Sequence, residues 1–189
     1  MDVFEAIQQR HSEGNVRSDP VPRELVEKML SAAVQAPNHY KVRPWRFVVL
    51  SGGALNRLGD VMAESFKKHS PDLRPDALAA AMEKERSLPL RSPLLIAVGV
   101  DMPEDPRTMD IENICAAAAA VENLLLAAYA LGLGAKWRTG KAAEDVEVKQ
   151  FLGFAPQQHL IGFIYIGYPE KEALPPERPS FEDRTVWME

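Results

Sequence analysis

Three short polar stretches carry the residue types that could do chemistry. Arg10-His11-Ser12 sets a guanidinium and a hydroxyl two residues apart, and such a pair can hold one phosphate. The planar fork of arginine suits that geometry best. The same tripeptide also suits a solvated helix end. Asn38-His39-Tyr40-Lys41-Val42-Arg43 is a loop bracketed by Pro37 and Pro44. That bracket is stiff, so Asn38 and His39 are presented in fixed positions, able to hydrogen-bond the polar edge of a flat ring. Trp137-Arg138-Thr139-Gly140 follows a Gly-rich turn and offers backbone groups, a cation and a hydroxyl.

Other familiar patterns are missing from the sequence. No G-x-G-x-x-G follows a strand pattern, and Gly132-Leu133-Gly134 reads as a helix stop. There is no P-loop. His11, His39, His69 and His159 are scattered without metal spacing. Ser51-Gly52-Gly53 suits a plain turn or an anion nest. Cys115 is the single cysteine, which excludes an intrachain disulfide and a cysteine zinc cluster; it reads as a buried small hydrophobe.

The elements that must position these groups follow from periodicity. Ile111 to Gly132 is apolar on nearly every side and rich in Ala and Leu, the best helix formers. About 22 residues at ~1.5 Å each give a helix of roughly 33 Å. Its Glu-Asn pairs, 112-113 and 122-123, argue against a bilayer span. It is therefore expected as a central helix, wrapped by the rest of the chain or by a second copy. Asp2 suits the cap of a first helix with Val3, Phe4 and Ile7 on one face. Pro22 opens a second helix, with Leu25, Val26, Met29, Leu30 and Ala33 in one stripe. A third carries Leu55, Leu58, Met62 and Phe66. The charged 71–91 segment holds a weaker helix and reads as a mobile lid. One short helix is expected over 143–152. Strands are expected at Trp45–Leu50, Leu94–Val100, Trp137 and Leu160–Gly167, and the two fully apolar ones imply helices on both faces of a sheet.

With 189 residues, 46% of them apolar, the chain is long enough for one domain with a sizeable core. A net charge of −5 argues against a nucleic-acid binder but leaves room for one phosphate site. The opening Met1–Glu5 lacks a basic region and a long apolar run, so cytoplasmic residence is the default expectation.

Taken together, R-[RH]-S near the N-terminus, A-P-x-H-x(4)-P-W about 25 residues on, and G-x(2)-W-R-[ST]-G after an apolar helix resemble the flavin-dependent nitroreductases, in particular their short bacterial NAD(P)H nitroreductase branch. The resemblance spans essentially the whole chain. It implies an α+β fold, a three-layer α/β/α sandwich around a mostly antiparallel sheet. It also implies an intertwined homodimer of single 1–189 domains, with the 168–189 tail packing on the partner. FMN would lie at the dimer interface, take hydride from NADH or NADPH, and pass it to a nitroaromatic, quinone or similar small-molecule acceptor by a ping-pong route. Related flavin enzymes with other acceptors, and a non-catalytic flavin-binding protein, stand as alternatives. Neither nucleic acid nor membrane is an implied partner. Residue by residue, the resemblance assigns Arg10, His11, Ser12, Gln35, Asn38, His39, Trp137, Arg138 and Thr139 to FMN. At Gln35 related chains can carry an Arg. A cation near the flavin pyrimidine would stabilise its reduced form; Lys41, Lys136 and Arg138 are the candidates.

Overall fold

The computed structural model describes residues 1–171 and 177–189. The chain runs through α1 (Val3–Gln9), α2 (Arg23–Ala33), β1 (Trp45–Ser51), α3 (Gly53–Lys68), α4 (Pro75–Ser87), β2 (Leu94–Val100), α5 (Asp110–Ala130), β3 (Gly134–Arg138), α6 (Lys141–Glu144), α7 (Val146–Phe151) and β4 (His159–Gly167). The four strands form one sheet in the order β1-β2-β4-β3, and every pairing is antiparallel. β1 is an edge strand.

Alternation along β2 explains why its run is apolar throughout. Ile96, Val98 and Val100 enter a core shared with α2 and α5, whereas Leu95 and Ala97 enter a second core built on α3, α6 and α7. Both cores exclude water, and each fully buried Leu or Ile contributes ~1.5–3 kcal/mol. The sheet is thus the middle of three layers, in the α+β sandwich expected. In β4 an irregularity between Leu160 and Gly162 shifts the register against β2. Gly162 has φ +138°, and a Cβ there would meet the Trp137 indole nitrogen at 2.6 Å. Trp137 uses that space to donate to the Ile161 carbonyl at 3.0 Å.

α5 is the one described helix with the length and apolarity of a membrane span, yet it lies against α2 and the sheet. Asn113, Ala116, Ala117, Ala120, Val121 and Leu124 face that core. The opposite face does not: Ile111 is 58% exposed and Cys115 is exposed, contrary to the buried role expected for the cysteine. Val3, Phe4 and Ile7 of α1 are likewise exposed, and only Ala6 of that helix is buried.

Two segments differ from the periodicity reading. The 143–152 stretch is two helices, because Asp145 has extended backbone and caps α7 by accepting from Glu147 N and Val148 N. Ser65 of α3 donates to the same carboxylate, which ties the helices together. In the 71–91 segment the expected helix is present as α4 and is followed by a 3-10 turn, Leu88–Arg91, that the periodicity does not signal; Arg86 is held by Asp60 at 2.9 Å and Glu83 at 2.9 Å. The extended tail expected over 168–189 falls partly on 172–176, outside the described residues. Beyond them Phe181, Val186 and Trp187 are 64, 85 and 79% exposed.

Candidate flavin site

The first polar cluster is positioned by the end of α1. Arg10 caps that helix through its N–H to the Ala6 carbonyl at 3.0 Å. Its Nε donates to Glu122 Oε1 of α5 at 3.1 Å. This fixes the guanidinium while its two terminal nitrogens carry no hydrogen bond among the described residues. Residues 13–17 then lace the sheet edge: Glu13 N donates to the Ala135 carbonyl at 3.0 Å, Arg17 N to Tyr168 O at 2.8 Å, and Val16 bridges Pro169. Glu13 is occupied locally, accepting from Asn15 N at 2.6 Å. The ring nitrogen His11 Nε2 is buried without a hydrogen-bond partner; Glu13 Oε2 is 3.6 Å away, too far to bond. Ser12 is exposed.

Two adjoining cavities flank this lacing. One, about 360 Å³, is lined by Arg10, His11, Leu125, Tyr129 and Lys171 among others. The other, about 410 Å³, is lined by Gly14, Asn15, Arg91, Lys136, Arg138 and Tyr165. Glu13 and Glu170 wall both. Strand alternation explains the division. Lys136 pairs with Tyr165 and shares its face, while Trp137 pairs with Ile164 and turns to the α5 core. Arg138 stands 5.8 Å from the Tyr165 ring centre. Burial pushes the Tyr165 phenol above its usual pKa, so it stays a neutral donor.

The proline-bracketed loop is strained as well as stiff. Tyr40, Lys41 and Arg43 have φ of 47°, 57° and 49°, the left-handed region that non-glycine residues seldom occupy. Asn38 holds the turn, its Oδ1 accepting from Arg43 N at 2.9 Å and its Nδ2 donating to Ala36 O at 3.3 Å. His39 contacts Glu112 Oε1 at 2.8 Å and stacks on Tyr40, with ring centres 4.3 Å apart. Arg107 covers Tyr40 at 4.3 Å and grips Asp105, whose carboxyl it holds down to about 2. Glu112 sits below its ordinary range because it accepts from Met109 N and contacts His39.

Within one chain these groups are not gathered at one point. Arg10 meets α5 at Glu122 and His39 meets it at Glu112, ten residues or roughly 15 Å apart along the axis. Gln35 is exposed, its amide 3.5 Å from Ser31 O. Thr139 is exposed beyond β3. Two cations escaped the reading of the sequence. Arg178 reaches back from the tail and donates to the Arg10 carbonyl at 2.8 Å, adding a second guanidinium at the phosphate-type cluster. Arg91 enters the second cavity from the turn before β2. Neither belongs to a local motif; each is a lone arginine among prolines.

The model of the Nitroreductase family matches residues 7–168, and the chain belongs to that family. The Escherichia coli K12 protein named "Putative NAD(P)H nitroreductase YdjA" is 30% identical over 174 residues, covering 92% of this chain and 91% of that one. A Bacillus cereus crystal structure of a nitroreductase-like family protein superposes with a TM-score of 0.85 at 24% identity, covering 100% of this chain and 97% of the other. A Desulfovibrio desulfuricans structure, described as a "putative nitroreductase in complex with fmn", has a TM-score of 0.74 at 25% identity, covering 100% and 97%.

Proposed function

We propose that the chain is an FMN-dependent oxidoreductase that takes hydride from NADH or NADPH and works as a homodimer. The observation that carries this is the pair of adjoining cavities lined by Arg10 on one side, with Arg178 bonded to its carbonyl, and by Arg91, Lys136 and Arg138 on the other. An orphaned buried nitrogen, His11 Nε2, also faces this region. An elongated ligand with a phosphate at one end fits that donor set. When bound, FMN would supply the hydride chemistry itself. Arg10, Ser12 and Arg178 would hold its phosphate, and the Lys136–Thr139 strand would support the remainder.

The second copy completes the site. Ile111, Cys115, Ala118 and Glu122 lie at helical spacing on the face of α5 that the chain leaves uncovered. The small residues at its middle allow a second α5 to approach closely. A two-fold axis near position 117 sets each Glu112 end against the other copy's Glu122 end. The Asn38–His39 turn of one copy then meets the Arg10 cluster of the other, closing the roughly 15 Å gap. The tail packs on the partner in this arrangement.

Visible absorbance of the purified protein, an FMN titration and anaerobic addition of NADPH test the reading. Bound oxidised flavin that bleaches with NADPH is expected; a chain that takes up no FMN refutes it. One open flavin face shared by both substrates predicts parallel initial-rate lines at several acceptor concentrations. Intersecting lines would rule that sharing out. A panel of nitroaromatic, quinone and enone acceptors identifies the electron sink.

A further inference from the structure

Two loops meet at the start of α5, and one arginine joins them. The strap 102–109, between β2 and α5, is pinned at both ends. At the first, Asp101 N donates to the Pro44 carbonyl at 2.8 Å, and Asn113 Nδ2 donates to the Asp101 carbonyl at 3.1 Å. The Asp101 carboxylate accepts from Gln158 at 2.8 Å and from Arg46 at 3.1 Å. At the second, Thr108 is buried, and its hydroxyl donates to Asp105 O at 2.8 Å. Pro103 and Pro106 stiffen the span between them. Among the described residues, no hydrogen bond or ion pair ties 102–107 to another element.

Arg107 makes that tie through the face of its guanidinium. Nε and one terminal nitrogen both donate to Asp105 within the strap, which holds the group in one orientation. Its central carbon then lies 4.3 Å from the centre of the Tyr40 ring. Tyr40 in turn stacks on His39, with ring centres 4.3 Å apart and planes 28° apart. The strap is therefore connected through Tyr40 to the histidine assigned above to the flavin. Tyr40 has φ 47°, and Lys41 and Arg43 beside it are also left-handed. Such a turn persists only while its surroundings over-determine it, and the guanidinium is one of the groups that do so.

Resting on the FMN reading above, we propose that Arg107 is a specificity-determining latch: by stacking on Tyr40 it closes the 102–109 strap over the 38–43 turn and restricts the flavin to small electron acceptors. The strap hinges at Asp101 and Thr108, its two pinned ends, and its prolines make it move as one piece. The latch is weak by design, since Arg107 is 64% exposed and Tyr40 is 50% exposed. An exposed cation over an aromatic face is worth a factor of about two to five in an equilibrium. A bulky acceptor needs the open form, so its apparent rate is reduced by the open fraction; a small acceptor passes the closed strap and escapes that reduction.

The test has two arms, and the first needs no flavin. A glutamate-specific protease cuts after Glu104 when the strap leaves the turn. Arg107→Ala and Tyr40→Leu should each speed that cut about two- to fivefold, and the double variant no more than either alone. Tyr40→Phe keeps the ring and should be cut like wild type. Tyr40→Leu lies outside the cut segment, so it separates latch release from an altered protease sequence. In the second arm, NADPH-reduced protein is mixed with p-benzoquinone or with a bulkier naphthoquinone; each takes a hydride and a proton and leaves as the hydroquinone, reoxidising the flavin. Both latch variants should raise the second-order rate for the naphthoquinone by the same factor and leave that for p-benzoquinone unchanged. A cut that ignores Tyr40→Leu, or effects that add in the double variant, would overturn the latch. Rates that change equally for both quinones, or for neither, would overturn the selection by size. A wild-type protein that binds no FMN would remove the acceptor role together with the reading it rests on, while the cleavage arm still decides the latch.

Discussion

Arg10 does two jobs, and its substitution separates them. Its Nε is spent on Glu122, while its terminal nitrogens are left for a ligand. The ion pair is worth little, because Glu122 is 46% exposed. Arg10→Ala should therefore leave folding nearly unchanged while weakening FMN binding by ~1.5–3 kcal/mol, the range for a charged hydrogen bond. Isothermal titration of FMN into the apo protein measures this, and equal affinity would remove Arg10 from the phosphate site. Asp145 is the converse case, a residue of structure alone. It caps α7 and anchors Ser65. Asp145→Ala should cost about 1–2 kcal/mol in urea unfolding without altering the bound flavin spectrum.

At the level of elements, the start of α5 depends on one carboxylate. Glu112 accepts from Met109 N and touches His39, and both contacts hold its pKa below the ordinary 4.5. A carboxyl depressed in the folded state stabilises it fully above its unfolded pKa, and that contribution is lost as pH falls below about 4.5. Glu112→Gln should lower Tm at pH 7, and the gap from wild type should narrow below pH 4. Parallel melting curves at both pH values would contradict this. The periodicity of the chain located α2, α3, α5 and all four strands because burial on two faces imposes it. The α6–α7 break was hidden because Asp145 is a cap only if the helix stops beside it, and alanine and valine on either side do not signal a stop. Of the candidate site, the sequence marked the parts where motifs are local, at Arg10 and Trp137. Arg91 and Arg178 were invisible because chain folding alone, and no spacing, brings Arg91 to a cavity and Arg178 to the Arg10 carbonyl. Trp137 itself is turned inwards to the Ile161 carbonyl, a role that its place in a motif does not reveal.

The whole molecule leaves too much apolar surface for one copy. Phe4, Ile7, Ile111, Phe181 and Trp187 all exceed 49% exposure, and they come from both ends and the middle of the chain. We propose that a two-fold assembly covers them, and interfaces of this kind run to thousands of Å². Sedimentation should find a dimer with no stable monomer. Deleting 181–189 should lower both its stability and its flavin retention. A truncated protein that stays dimeric and yellow would show that the tail has no part in assembly.

β1 has consequences beyond activity. It ends the sheet with one row of backbone donors and acceptors not paired by another strand among the described residues, and Val49 on it is 43% exposed. Such an edge is a template for any passing strand, and Arg46 is its principal charged guard. Dissociation would uncover apolar faces on α1 and α5 in a chain that already carries this edge. Dilution or mild heating should then lead to aggregation sooner than to a soluble monomer. Light scattering should rise with the loss of dimer, and added FMN should delay it by mass action.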